Sequence, residues 1–221
     1  FSEIQSEAKF VPLEKFISTG MPRNEIFFSE NPAIKNKIFE HFKIEDKDTR
    51  IILYAPSYRS ITEKMQVLDF KNVISAVQEK FGGKWKFFYR AHNYTKVNSS
   101  LLSDFVIDTT CYDDMQELLY ATDILITDFS SSMWDFAHTF KPCFLYVSDL
   151  DDYTKNDKGF FTPPETWAYP LCKTQKDLLD LILSYDEKSA KEKIKKHLQE
   201  FGSYENANSS KKILKAIGIL K

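Results

Sequence analysis

Apolar residues in this chain recur in two alternating rhythms. Short runs at 51–54, 85–89, 105–107, 124–127 and 143–147, the second interrupted by Lys86, are rich in Ile, Phe, Leu and Tyr. Their length and lack of polar alternation suit strands buried on both faces. Between them, apolar residues fall three and four apart: Ile34, Ile38, Phe39 and Phe42; Phe70, Val73, Ile74, Val77 and Phe81; Met115, Leu118 and Leu119; Met133, Trp134 and Ala137. Further helices follow the last strand, carried by Leu178, Leu179, Leu181, Ile182 and Tyr185, by residues 188–201, and by Ile213, Leu214 and Ile217. Strands alternating with helices at this spacing imply an α/β fold, a parallel sheet with helices on both faces.

Local signals set the ends of these elements. Asn31 ahead of Pro32 reads as the cap and first position of a helix, and Gly82-Gly83 stops the helix that ends at Phe81. A short strand is expected at 15–19, closed by Gly20, which permits a tight turn before Pro22. Residues 149–169 have no clear period and carry Gly159, Pro163 and Pro164, so they read as a long loop, a kind often functional. Residues 1–14 are mixed and polar and read as a linker or arm, which leaves one domain over 15–221.

Composition narrows the class. A chain of 221 residues can bury a sizeable core, and its net charge of −2, with both signs interleaved, excludes a nucleic-acid surface. No apolar run approaches the ~20 residues that span a bilayer. Three cysteines, odd in number and widely spaced, fit a reducing compartment and neither a disulfide framework nor zinc. The lysines of 188–201 are interleaved with Glu192 and Glu200 and read as a solvated face, with a weak membrane-surface role left open. The chain opens with neither Met nor a signal peptide and reads as a piece of something longer.

The chemistry gathers at the strand ends. The run at 124–127 passes through Asp128 and Phe129 directly into Ser130, Ser131 and Ser132, which open a helix. Free N–H groups, hydroxyls and the positive dipole end together favour an anion there, although a serine is also simply a good N-cap. If the five strands take the order 3-2-1-4-5, ligands bind outside the carboxyl ends at the switch point between the first and fourth. The loops meeting there carry Ser57 and Arg59, Arg90 and His92, and the serines. Two arginines, a histidine and hydroxyls suit a phosphate or diphosphate. The plainer alternatives are arginines paired with carboxylates and a structural His92. Neither Gly-x-Gly-x-x-Gly nor a Walker loop occurs. Asp149-Leu150-Asp151 has the spacing of a nucleotide-sugar metal motif, but as a short pattern in an acidic loop it is not read as a metal site.

These residues carry a resemblance. Gly20-Met-Pro-Arg23, Tyr54-Ala-Pro-Ser-Tyr-Arg59, Arg90-Ala-His92, Thr127-Asp-Phe-Ser-Ser131 with Asp135, and Asp157-Lys-Gly-Phe-Phe161 fall in the order seen in the CDP-glycerol glycerophosphotransferase family, the teichoic-acid and capsule polymerases and primases. The resemblance implies a Rossmann-like domain, the C-terminal, donor-binding half of a GT-B-type enzyme whose N-terminal acceptor domain is absent from this chain. It further implies that Arg23, Ser57, Arg59, Arg90, Ser130, Ser131, Asp135 and Lys158 bind a CDP-linked donor, with His92 catalytic. Lys158 stands where the family usually has Arg, Ser57 where Thr is common, Phe129 where Tyr is common, and Asn93 where Pro often follows the histidine.

The implied reaction moves glycerol phosphate, or a related polyol phosphate, from CDP-glycerol or a similar CDP-polyol to an acceptor hydroxyl and releases CMP. The donor is a substrate and no cofactor is called for, with the metal requirement left open. The full-length enzyme is expected at the cytoplasmic face of a bacterial plasma membrane, peripherally bound. It would take a polymer or lipid-linked acceptor through the missing domain, while this piece alone does not turn over. The competing readings are a GT-B glycosyltransferase or epimerase domain using a UDP-sugar, and a catalytically inactive donor-like binding domain.

Overall fold

The structure is a computed structural model and describes residues 12–58, 68–92, 105–156, 160 and 162–220. Six parallel strands form one sheet: β1 (Arg50–Tyr54), β2 (Trp85–Tyr89), β3 (Val106–Asp108), β4 (Ile124–Thr127), β5 (Cys143–Tyr146) and β6 (Leu171–Cys172). Their order is β3-β2-β1-β4-β5-β6. The expected 3-2-1-4-5 arrangement is therefore present, extended at one edge by the two-residue β6, which carries too little pattern to be seen in the sequence. Register is regular, with Ile52 opposite Phe87 on one side and opposite Ile124 on the other.

Strand side chains alternate between two cores, which is why the runs are apolar almost throughout, with the half-buried Lys86 of β2 as an exception. On one face Ile51, Leu53, Phe88, Leu125 and Leu145 pack with α1 (Pro32–His41), α3 (Met115–Ala121) and α4 (Ser132–Phe136). On the other, Ile52, Phe87, Ile126, Phe144 and Cys172 meet α2 (Phe70–Phe81) and α6 (Gln175–Leu183). Asp69, Asp114 and Thr174 cap α2, α3 and α6 through their side chains, and Gly82 ends α2 at φ 64°. The remaining helices are α5 (Leu150–Asn156), α7 (Glu187–Glu200) and α8 (Ser209–Ala216).

Four local expectations are corrected. Residues 15–19 form no strand: a 3-10 turn at Leu13–Lys15 is followed by irregular backbone that joins none of the six strands of the sheet. Asn31 precedes α1 without a side-chain cap bond; its backbone N–H donates instead to the Tyr120 hydroxyl at 2.7 Å. The 149–169 stretch holds α5 and a 3-10 turn at Pro164–Thr166, with Leu150 and Tyr153 turned into the core. Finally, α4 is a short helix that continues as a 3-10 turn over Ala137–Thr139 and ends at Phe140 in the left-handed region. Gly20, at φ +81°, lies where a Cβ would sit 2.7 Å from Ser209 Oγ and 2.8 Å from the Tyr204 carbonyl. That close approach ties the start of the domain to the segment entering α8.

Candidate functional site

Because β1 lies between β2 and β4, the loops leaving these three strands are neighbours at the carboxyl edge of the sheet. Backbone bonds run on past the strands: Ala55 N–H donates to Ile126 O at 3.0 Å and Arg90 N–H to Tyr54 O at 2.9 Å. Thr127 Oγ1 donates to Ala55 O at 2.6 Å. Asp128, 1% exposed, accepts the Ser57 N–H at 2.9 and 3.1 Å through its two oxygens. Ser57 is thus set beside the β4 turn by a buried carboxylate, a task the sequence did not reveal. The signal was present, since an Asp directly after a fully buried strand is costly unless something holds it.

His92 is exposed at the end of the β2 loop, its ring 5.5 Å from that of Tyr58 on the β1 loop. The structure therefore brings Ser57, Tyr58 and His92 into one place. Arg90 is half-buried and braces the backbone: Nη1 donates to Thr109 O at 2.9 Å and to Tyr112 O at 2.7 Å. Burial draws its pKa downward, against the pull of Asp114, Cys111 and Asp113. Its partners are carbonyls and not the carboxylates considered from the sequence. Two of its five N–H groups hold the loop after β3, and among the described residues the other three have no acceptor.

The serines divide the work. Ser130 Oγ accepts from Ser132 Oγ at 2.9 Å and from Ser132 N–H at 3.3 Å, so its hydroxyl caps the turn. Ser132 is buried, whereas Ser131 is exposed and makes no cap bond. The N–H groups of Met133 and Trp134 close onto the carbonyls of Ser130 and Ser131. Among the described residues, the N–H groups of Ser130 and Ser131 have no acceptor, so the donors open to an anion lie one residue ahead of α4.

Asp135, in the first turn of α4, is 8% exposed and fully engaged. Its Oδ1 accepts from Arg23 Nη2 at 3.2 Å and Asn24 Nδ2 at 2.8 Å; its Oδ2 accepts from Arg23 Nε at 3.0 Å and Gln116 Nε2 at 2.9 Å. Such a carboxylate has no capacity left for a ligand and serves to aim Arg23. Arg23 rides on the 3-10 helix Pro22–Phe28 with its side chain 48% exposed, so the guanidinium is anchored along one edge and open along the other. Asn24 and Gln116 complete this clamp and went unnoticed in the sequence, because single amides far apart in a chain announce nothing.

Arg59 and Lys158 lie outside the described residues. Asp149 is buried, and Asp151 pairs with Lys173 at 3.0 Å. Among the described residues, no group of three or more His, Cys, Asp or Glu is arranged to hold a metal ion, and no helix is long and apolar enough to cross a membrane.

Comparison with known proteins converges on one group. Residues 3–218 match the model of the family described as CDP-Glycerol:Poly(glycerophosphate) glycerophosphotransferase. A teichoic acid poly(glycerol phosphate) polymerase of Bacillus spizizenii is 30% identical over 217 residues, 91% of this chain and 53% of that protein. The wall teichoic acid polymerase TagF, in a variant soaked with CDPG, superposes with a TM-score of 0.80 at 26% identity, covering 98% of this chain and 55% of that one. The chain thus spans about half the length of these two relatives. A UDP-GlcNAc 2-epimerase from Neisseria meningitidis, TM-score 0.53 at 14% identity over 96% of this chain and 57% of its own, shares the fold alone.

Proposed function

From membership of the CDP-glycerol:poly(glycerophosphate) glycerophosphotransferase family, to which this chain belongs, we propose that residues 15–221 form the donor-binding side of a transferase that moves glycerol phosphate from a CDP carrier to an acceptor hydroxyl. The observation that carries this reading is that the loops leaving β1, β2 and β4 bring Ser57 and His92 beside the turn with the open Ser130–Ser131 amides, while Asp135 of the helix that follows holds Arg23. Parallel sheets bind nucleotides at this edge, and Arg23, Arg90 and the serines are cations and hydrogen-bond donors.

In the reaction, the acceptor oxygen attacks the distal phosphorus of the diphosphate. The bond from that phosphorus to the bridging oxygen breaks, and CMP leaves with the electron pair. Arg23, the free edge of Arg90 and the Ser130 and Ser131 amides hold the phosphoryl oxygens, where preorganised donors stabilise the charge that spreads in the transition state. Arg59 and Lys158 belong to the same donor contacts by family resemblance. His92 protonates or hydrogen-bonds the departing phosphate. The base that takes the acceptor proton comes from the part of the relatives that this chain does not span, and the polymer or lipid-linked acceptor is taken through that part, at the cytoplasmic face of the membrane.

Calorimetric titration of CDP, UDP and cytidine into the chain tests the reading. CDP is expected to bind more tightly than UDP and far more tightly than cytidine. Ser131→Ala, which spares the amides, leaves CDP affinity nearly intact, while Arg23→Ala costs roughly 1.5–3 kcal/mol of it, the worth of a charge-assisted hydrogen bond. Cytidine affinity is unchanged in both. CDP binding no tighter than cytidine refutes a diphosphate site, and equal affinity for UDP removes the cytidine carrier.

A further inference from the structure

A second cluster of cations lies at the opposite edge of the sheet. Lys47 precedes β1, Tyr120 and Asp123 precede β4, and Lys141 precedes β5, so all sit at the amino ends of parallel strands, away from the donor loops. Together with Lys35 in the first turn of α1, three of these side chains, Lys47, Tyr120 and Lys141, line an open cleft of about 770 Å3.

The lysines converge. Lys35 Nζ and Lys47 Nζ lie 5.4 and 5.5 Å from the centre of the Phe39 ring, which puts the two ammonium groups within about 11 Å of one another. Lys35 and Lys141 both approach Asp123, at 3.6 and 3.9 Å, and that carboxylate already accepts the Ile51 N–H at 2.9 Å. Lys141 is fixed by the carbonyls of Thr122 at 2.6 Å and Tyr120 at 3.3 Å. Burial and the neighbouring Lys35 draw its pKa downward despite Asp123. Lys47 makes no ion pair among the described residues. The Tyr120 hydroxyl accepts from the Asn31 N–H and keeps its own proton to donate. The first turn of α1 contains a lysine and no acidic residue, the reverse of what a helix start favours. One carboxylate, Glu30, shares the cleft. Three ammonium groups face two carboxylates, Glu30 and the already engaged Asp123, and leave a net positive charge.

We propose that this cleft binds a phosphate ester, its phosphoryl oxygens held by Lys35, Lys47 and Lys141, and that the ester is a diester of a polyol-phosphate chain. The phosphate class follows from the cleft, whereas the polyol diester rests on the function proposed above. A phosphodiester presents two non-bridging oxygens, which share one negative charge, to several donors at once and repeats along such a chain. The cleft then gives the polymer a second foothold, remote from the donor crevice.

The test titrates glycerophosphoglycerol, inorganic phosphate and phosphatidylglycerol vesicles into the wild-type chain and a Lys35→Ala/Lys47→Ala variant, with CDP in parallel. Both lysines are partly exposed, and Lys141, which braces the backbone, is left in place. Glycerophosphoglycerol binding that weakens roughly tenfold or more in the variant, and with rising salt, while CDP affinity stays unchanged, supports the site. Equal binding by both proteins overturns it, as does displacement of the diester by CDP. Binding confined to inorganic phosphate or to vesicles overturns the diester assignment. Loss of CDP binding by the wild type, with diester binding intact and lysine-dependent, removes the donor-site reading and still supports the cleft.

Discussion

Replacing Asp135 with Asn tests the clamp that aims Arg23. The substitution preserves shape but turns one acceptor oxygen into a donor. Either amide orientation points that new NH2 at an Arg23 N–H and at the side-chain amide of Asn24 or Gln116, since each carboxylate oxygen now takes one bond from Arg23 and one from an amide. Two of four bonds are lost. The amide partner becomes an unpaired donor, and for Asn24, 2% exposed, this costs about 1–3 kcal/mol. The Arg23 bond counts for less, about 0.5–1 kcal/mol, because the guanidinium is half in water. The sum is about 3 kcal/mol, or about 6–12 °C in melting temperature for a domain of this size. Asp180→Asn makes the same chemical change in an exposed pair with Lys176 and is expected to leave the melting point unmoved. Thermal unfolding of both variants decides the matter. Equal shifts would mean that the Asp135 network holds nothing in place, and the assignment of Arg23 as a positioned ligand would fall with it.

Arg90→Ala removes two bonds to buried loop carbonyls, so its urea unfolding midpoint should fall by the equivalent of about 2–3 kcal/mol; an unchanged midpoint would show that Arg90 serves the ligand alone. Acid should weaken the fold through its histidines. Burial holds His138 and His197 below the ordinary value of 6.5, so the unfolded chain binds more protons. Their contribution is complete above about pH 6.5 and is lost as pH falls through the folded values. His197→Phe, which keeps a ring against Trp134 at 4.7 Å, should flatten that decline in stability between pH 6.5 and 5, and a slope identical to wild type would refute the cause given.

The sequence by itself determined the layers and the order of the first five strands. Runs such as 51–54 and 143–147 are apolar at every position because both sheet faces are covered, and that requirement is written locally. The gathering of the β1, β2 and β4 loops followed from strand order, and the ordered motifs from Gly20 to Phe161 carried the family. Only the tertiary structure decided which side chain serves which task. Ser130 turned inward to Ser132, Arg90 took up carbonyls, and Asp135 was consumed by Arg23, Asn24 and Gln116, residues that lie 112, 111 and 19 positions away. Asp128 reached across 71 positions to the Ser57 amide. The cleft of Lys35, Lys47 and Lys141 was equally hidden, since its lysines belong to three separate elements and are unremarkable in each. Periodicity records what a residue does for its own helix or strand. A hydrogen bond between distant segments is set by how those elements pack, and one chain's sequence carries no mark of it.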